Sequence, residues 1–291
     1  ENRGQIFSIH MIVVWGGLAL AQGLFAVDDP TGVSLFLLAS ILLSISLIPI
    51  LLTEIKAPEM DVQESLGLRA LWKASPSGVA TIGLSGLASA GFFGVGTIYA
   101  VKAGLSVSET ALFMTLFIGF GALSQWPLGW LSDKIDRRKV IMFCCASVIC
   151  ICMVLASFEF TSITLVILSA LVGAFTLPLY SLGVAQSNDR LKPKQMISAS
   201  GTIVLVFSVF AALGPFTMSY FLELFEMFGF MIYMGIVHLA IAVTVLIMMF
   251  INQDVDESDQ SDFQVMAQRP SLVAMEVIAE EAIESQGESD S

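Results

Sequence analysis

Apolar residues in this chain run on in long unbroken stretches rather than alternating with polar ones, and eight stretches are long enough to cross a bilayer. A helix needs about 20 apolar residues to span a hydrocarbon core of about 30 Å. The stretches fall at roughly 6–27, 33–52, 79–101, 110–131, 140–158, 163–184, 196–221 and 228–251. Their length excludes strands, and the lack of alternation excludes a membrane barrel. No Asp, Glu, Lys or Arg falls inside any of the eight as bounded here. The pattern predicts an all-α integral membrane protein with eight transmembrane helices.

The loops test that count. When the spans are laid out alternately, 12 of the 13 Lys and Arg fall on one side, with Lys102 alone on the other. Such a bias marks the cytoplasmic side, and a missed or extra span would have scrambled it. Both termini are therefore expected in the cytoplasm. The longest internal loop, about 53 to 77, is cytoplasmic; Leu66, Leu68, Leu71 and Trp72 accompany Glu64, Arg69 and Lys73 and suit a short surface helix. Ser75-Pro76-Ser77 then makes a helix start.

Composition agrees with lipid as the solvent: 56% of residues are hydrophobic and 13% charged, against about 25% charged in a soluble domain. The net charge of −12 belongs mainly to the tail, where eleven Asp/Glu and only Arg269 follow Asn252. That tail is expected to be largely disordered, with a short helix available to 271–284. Nothing in the charge pattern suits nucleic acid. Cys144, Cys145, Cys150 and Cys152 share one apolar run without His or acidic companions, which suits packing better than a metal or a disulfide framework. A membrane enzyme would need a nucleophile, a metal cluster or paired acids at membrane depth, and the pattern offers none. The start at Glu1, followed soon by a full-length span, reads as a truncated chain.

Gln5-Ile6-Phe7-Ser8 parallels Gln195-Met196-Ile197-Ser198 at the starts of the first and seventh spans, six helices apart. Between the fourth and fifth spans stands Gly129-Trp130-Leu131-Ser132-Asp133-Lys134-Ile135-Asp136-Arg137-Arg138-Lys139. Gly129 lets two helix backbones approach closely. Asp133 opens a tight turn, and Arg137, Arg138 and Lys139 are placed at the level of the lipid headgroups.

This loop resembles the signature of the major facilitator superfamily: a Gly, an Asp four residues on, then paired bases four and five further. The family carries it between helices two and three and again, more weakly, between helices eight and nine. The second position makes the spans helices five to twelve, with the first four absent. The resemblance covers about 1–251. It implies a partial fold in which 1–52 are the last two helices of the N-terminal bundle and 53–77 the central cytoplasmic loop. A complete six-helix C-terminal bundle occupies 78–251 and an acidic cytoplasmic tail 252–291. Asp136 stands where the family usually has Gly.

The resemblance further implies a secondary transporter of alternating access in a bacterial cytoplasmic (inner) membrane, taking a small-molecule substrate with or without a coupling proton or ion, and needing no cofactor. In the family the loop latches one half to the other. Pseudo-symmetry sends Asp133 to the start of the first span, near residues 2–8, where free backbone N–H groups and a helix dipole await an anion. Gly129, Asp133, Arg137 and Arg138 are the candidate latch.

The third span is rich in small residues, with Phe92, Phe93 and Tyr99 toward its outer end as a candidate aromatic gate. Gln22, Gln125, Thr176, Pro178 and Tyr180 are the other cavity candidates, being polar or helix-bending positions in apolar runs. His10 and His238 suit interhelical hydrogen bonds better than a proton relay. With no carboxylate in the spans, the expected substrate is neutral or amphiphilic, unless absent helices supply a charge. A non-transporting membrane scaffold or receptor acting through its acidic tail is the alternative.

Overall fold

The structure, a computed structural model, describes residues 32–52, 66–158 and 161–251, Phe263, and a few positions between 13 and 28. Among the described residues nine helices have defined bounds, in chain order: α1 (Ser34–Leu52), α2 (Leu68–Ala74), α3 (Pro76–Lys102), α4 (Val107–Ser132), α5 (Arg137–Ser157), α6 (Ser162–Thr176), α7 (Pro178–Asn188), α8 (Pro193–Phe225) and α9 (Phe228–Ile251).

Six spans among the described residues are long and apolar enough to cross a membrane, α6 and α7 counting as one. They match the third to eighth apolar stretches. The second stretch is α1, a 19-residue helix. Most of the first stretch lies outside the described residues, so the count of eight rests on sequence. The helices outrun the stretches at both ends of the bundle: Lys102, Glu109 and Arg137 are helical, each in a first or last turn.

Local chemistry fixes the ends. Pro76, Pro178 and Pro193 open α3, α7 and α8, where a missing N–H is harmless. Ser106 and Glu109 form a reciprocal capping box on α4: the Ser106 N–H donates to Glu109 at 2.8 Å and the Glu109 N–H to the Ser106 hydroxyl at 3.3 Å. Hydroxyls facing the apolar surroundings are satisfied within their own helix, as Ser147 on Phe143 O (2.8 Å) and Thr244 on Ala240 O (2.8 Å).

α3 to α9 form one bundle with α3 at its hub. α3 packs most extensively on α8, α4 on α6, and α5 on α9, while α7 and α9 also reach α3. Small residues make the α3–α8 approach possible. A Cβ built on Gly86 would sit 2.7 Å from Phe207 O, and one on Gly214 would sit 2.6 Å from Leu87 O. Tyr233 of α9 pins this seam, donating to Leu87 O at 2.7 Å. α1 stands apart: its side chains are exposed apart from half-buried Leu35 and Leu38, and Phe36 is 70% exposed. α2 runs directly into α3 with Leu71 buried and Trp72 exposed. Leu66, just ahead of α2, donates its N–H to Ser198 O at 2.9 Å and accepts from the Thr202 hydroxyl at 2.5 Å, tying the central loop to α8.

Pro178 divides the sixth stretch. It has no N–H to give to Ala174 O, the carbonyl four residues back. The Ser124 hydroxyl of α4 fills that vacancy at 2.6 Å. The bend between α6 and α7 is thus held by a neighbouring helix.

Candidate functional site

The turn between α4 and α5 carries the densest ionic network among the described residues. Asp133 ends α4, and Asp136 starts α5 by accepting the Arg138 N–H at 2.9 Å. Asp136 also pairs with the Arg138 guanidinium, at 3.0 Å to its terminal nitrogen. This explains the departure from Gly. The residue sits at φ −49°, a conformation any side chain adopts, and its carboxylate caps a helix whose first three residues are all basic.

Arg137 and Arg138 both turn into the protein rather than out from its surface. Arg137 is fully buried. Its Nε donates to Asp189 at 2.7 Å, a terminal nitrogen donates to the Ser132 hydroxyl at 3.0 Å, and the same nitrogen lies 3.1 Å from Asp133. The Asp189 side chain is 2% exposed and that of Asp133 33%. A buried guanidinium requires partners on several of its five donors. The fold supplies them from the end of α4 and the end of α7. The network therefore clamps the α4–α5 turn to the bent pair α6–α7. Nearby Arg190 has its pKa lowered by burial first and by the Arg138 charge second, opposed by Asp136 and Asp189. Only Lys134 and Lys139 of the basic run are exposed, with the Lys134 ammonium 3.8 Å above the Trp130 ring.

Asp189 and Ser132 were missed by sequence reasoning. One signal was available: Asp189 is the acid immediately beyond the sixth apolar stretch, on the same side as Arg137.

Asp133 has one further partner. The backbone N–H of Phe263 donates to its Oδ1 at 2.9 Å. The Phe263 ring covers Gly129, so closely that any Cβ there would overlap it. Residues 2–8, the expected dock for Asp133, lie outside the described residues, as do His10 and Gln22.

The remaining candidates are distributed through the bundle. Phe92 and Tyr99 are buried in an aromatic stack: Phe92 on Phe117 with centroids 3.5 Å apart, and Tyr99 on Phe230 at 4.4 Å. Phe93 is half-buried at its edge. They fill the core between α3, α4 and α9. Gln125 of α4 is buried, and its carbonyl oxygen accepts the Ser181 hydroxyl of α7 at 2.9 Å. Tyr180 is buried edge-on against Phe207. Neither the Gln125 amide nitrogen nor the Tyr180 hydroxyl has a hydrogen-bond partner. Thr176 closes α6 beside buried Pro178 and meets His238 Nε2 at 3.2 Å. His238 Nδ1 lies 2.7 Å from Met234 O, a pure acceptor, so Nδ1 carries the proton and Nε2 accepts from Thr176. This is the interhelical bond expected of His238.

The comparisons with known proteins follow the same lines. The Major Facilitator Superfamily model matches residues 1–161 and 78–280. Curated relatives include the uncharacterized MFS-type transporter YcaD of Escherichia fergusonii, 23% identical over 217 residues, and that of Escherichia coli, 25% identical over the same length. The YcaD transporter of Salmonella arizonae is 26% identical over 219 residues. Each alignment covers 74% of this chain and 56% of the relative, so the chain spans little more than half the length of the curated relatives it matches. No solved structure shows a significant match. With the family model matched across nearly its whole length, this integral membrane protein belongs to the major facilitator superfamily.

Proposed function

We infer that the chain is the carrier portion of a secondary transporter working by alternating access. The observation that carries this reading is the buried Arg137 clamp. It makes the α4–α5 turn a rigid extension of α4, α6 and α7, so that Asp133 and Gly129 are presented as a unit to whatever docks there. In one of the two alternating states the docked partner is the start of the first span. Its helix N-terminus offers donors to the Asp133 carboxylate. In the other state the contact opens and the cavity faces the opposite side. Residues 1–52 act as the last two helices of the N-terminal bundle, and α1, exposed along its length, fits a helix awaiting bundle partners. Both termini lie in the cytoplasm, in a bacterial inner membrane.

The substrate is small and neutral or amphiphilic. Among the described residues, charged side chains in the spans stay within the first or last turn, while the polar groups deeper inside are neutral and include Gln125, Thr176, Tyr180, Ser181 and His238. The unpaired Gln125 amide and Tyr180 hydroxyl are buried donors of the kind a hydroxyl- or carbonyl-bearing substrate would satisfy. A coupling proton or ion is to be met by groups beyond these.

The test uses a cysteine-free chain with Gln125→Cys in sealed vesicles of both orientations and a membrane-impermeant thiol reagent. Labelling from both sides, with Asp133→Asn shifting the ratio, is expected. Labelling from neither side, or a ratio indifferent to Asp133, refutes the reading.

A further inference from the structure

Gly129 and Asp133 lie one turn apart on one face of α4, and a residue 130 positions away from Asp133 sits on both. Phe263 engages them in two separate ways. Its backbone N–H donates to Asp133 Oδ1 at 2.9 Å, on the oxygen that also faces Arg137. Its ring occupies the space left by the missing Gly129 side chain and packs at the margin of the cluster that includes Leu128, Ile141 and Ile241. A seat for an aromatic ring beside an acceptor for a backbone N–H suits a peptide segment rather than a small ion.

Charge favours the same occupant. Residues 134–139 carry four bases, and the chain beyond Asn252 carries eleven acids and one base. Opposite net charges draw the two segments together within a screening length of about 8–10 Å at ordinary ionic strength. The connection is also long enough. Eleven residues separate Ile251 from Phe263, a reach of up to ~40 Å. A tether of that length holds the segment at an effective concentration of the order of millimolar.

We propose that the Gly129–Asp133 face is a docking site for the chain's own C-terminal segment, anchored by Phe263, and that the docked tail competes with the first span for the latch. The second half rests on the latch reading above; the docking itself stands on the Phe263 contacts. A seated tail covers Gly129 and takes up an acceptor site on Asp133, so it disfavours the latched state. Releasing the tail favours that state, and so does screening its charges with salt.

The experiment uses the full chain in proteoliposomes with p-benzoylphenylalanine placed either at position 263 or at position 134, and maps photo-crosslinks by peptide mass spectrometry. The probe at 263 is expected to label the peptide containing 129–133 within the same chain, and Gly129→Ala to lower that yield about fivefold or more by crowding the ring seat. The probe at 134 is expected to label both the tail and residues 1–10. Phe263→Ala, or truncation after Asn252, should raise the yield to 1–10 by about threefold or more. Labelling from 263 that goes elsewhere, or that ignores Gly129→Ala, overturns the docking. Labelling of 1–10 that is present but unmoved by tail removal overturns the competition and leaves the latch reading intact. Labelling of the tail without any of 1–10, in every form of the protein, overturns the latch reading and the competition together.

Discussion

Removing the Asp189 carboxylate should be among the most damaging changes at the end of the bundle that carries the α4–α5 turn. Arg137 is fully buried and gives its shortest bond, 2.7 Å, to Asp189, whose side chain is 2% exposed. Breaking a buried ion pair on one side leaves an uncompensated charge and costs about 3–5 kcal/mol. Asp133 remains 3.1 Å from the guanidinium and offsets part of this, so Asp189→Ala is expected to cost about 3 kcal/mol, roughly a hundredfold in the folding equilibrium. Asp133→Ala should cost about 1 kcal/mol, because that carboxylate is 33% exposed and water screens its pairing. The pair Arg137→Met with Asp189→Ala removes both charges and should be less damaging than Asp189→Ala alone. Equilibrium unfolding in mixed dodecylmaltoside–SDS micelles measures all four forms. The reasoning fails if Asp189→Ala costs no more than Asp133→Ala, or if the double variant is no less damaging than Asp189→Ala alone.

Four other sites give comparable tests in the same assay. Ser124→Ala should cost about 1–2 kcal/mol by orphaning Ala174 O, and should become nearly neutral in a Pro178→Ala background, where an N–H returns to that carbonyl. Thr176→Val should cost about 1–3 kcal/mol by leaving His238 Nε2 buried without a donor; the same variant should shift the imidazole nitrogen resonances seen by NMR. Gly173→Ala should destabilise by about 1–3 kcal/mol, since a Cβ there meets the Phe117 backbone of α4. Gly119→Ala, facing open space, should be neutral or stabilise by up to about 1 kcal/mol.

The apolar spans were legible because lipid imposes a simple rule: the backbone must bond within itself and charges must stay out. That rule makes α9 readable to the residue, 228–251 in both sequence and structure. It fails at ends where a charge is paired. Arg137 and Arg138 look like headgroup anchors in sequence because single-chain patterns carry no information about a partner 52 residues away such as Asp189. The polar residues of the spans were found, but their partners were not. Gln125 with Ser181 and Thr176 with His238 are cross-helix pairs, set by packing rather than by periodicity. The aromatic trio of α3 shows the opposite limit. Phe92 and Tyr99 were legible as aromatic residues of one span, yet their stack with Phe117 and Phe230 depends on α4 and α9 arriving at one depth.

The distribution of charge also says where this bundle does work. Its middle is held by neutral contacts: interdigitated glycines, the Tyr233 hydroxyl on Leu87 O, and the Thr176–His238 bond. Each is directional but individually modest, about 1 kcal/mol, so helices can shift against one another without exposing a buried ion. The α4–α5 turn is built in the other way. Arg137 is surrounded on three sides, and Asp136, where the family's Gly would leave a bare turn, caps α5 and holds Arg138. A stiff end on a compliant bundle transmits motion instead of absorbing it. A partner that engages Gly129 and Asp133 therefore acts on α4 and, through Asp189, on α7 beyond the Pro178 bend. Those helices carry the unpaired Gln125 and Tyr180 donors, so the proposed latch and the proposed cavity would share a single mechanical element.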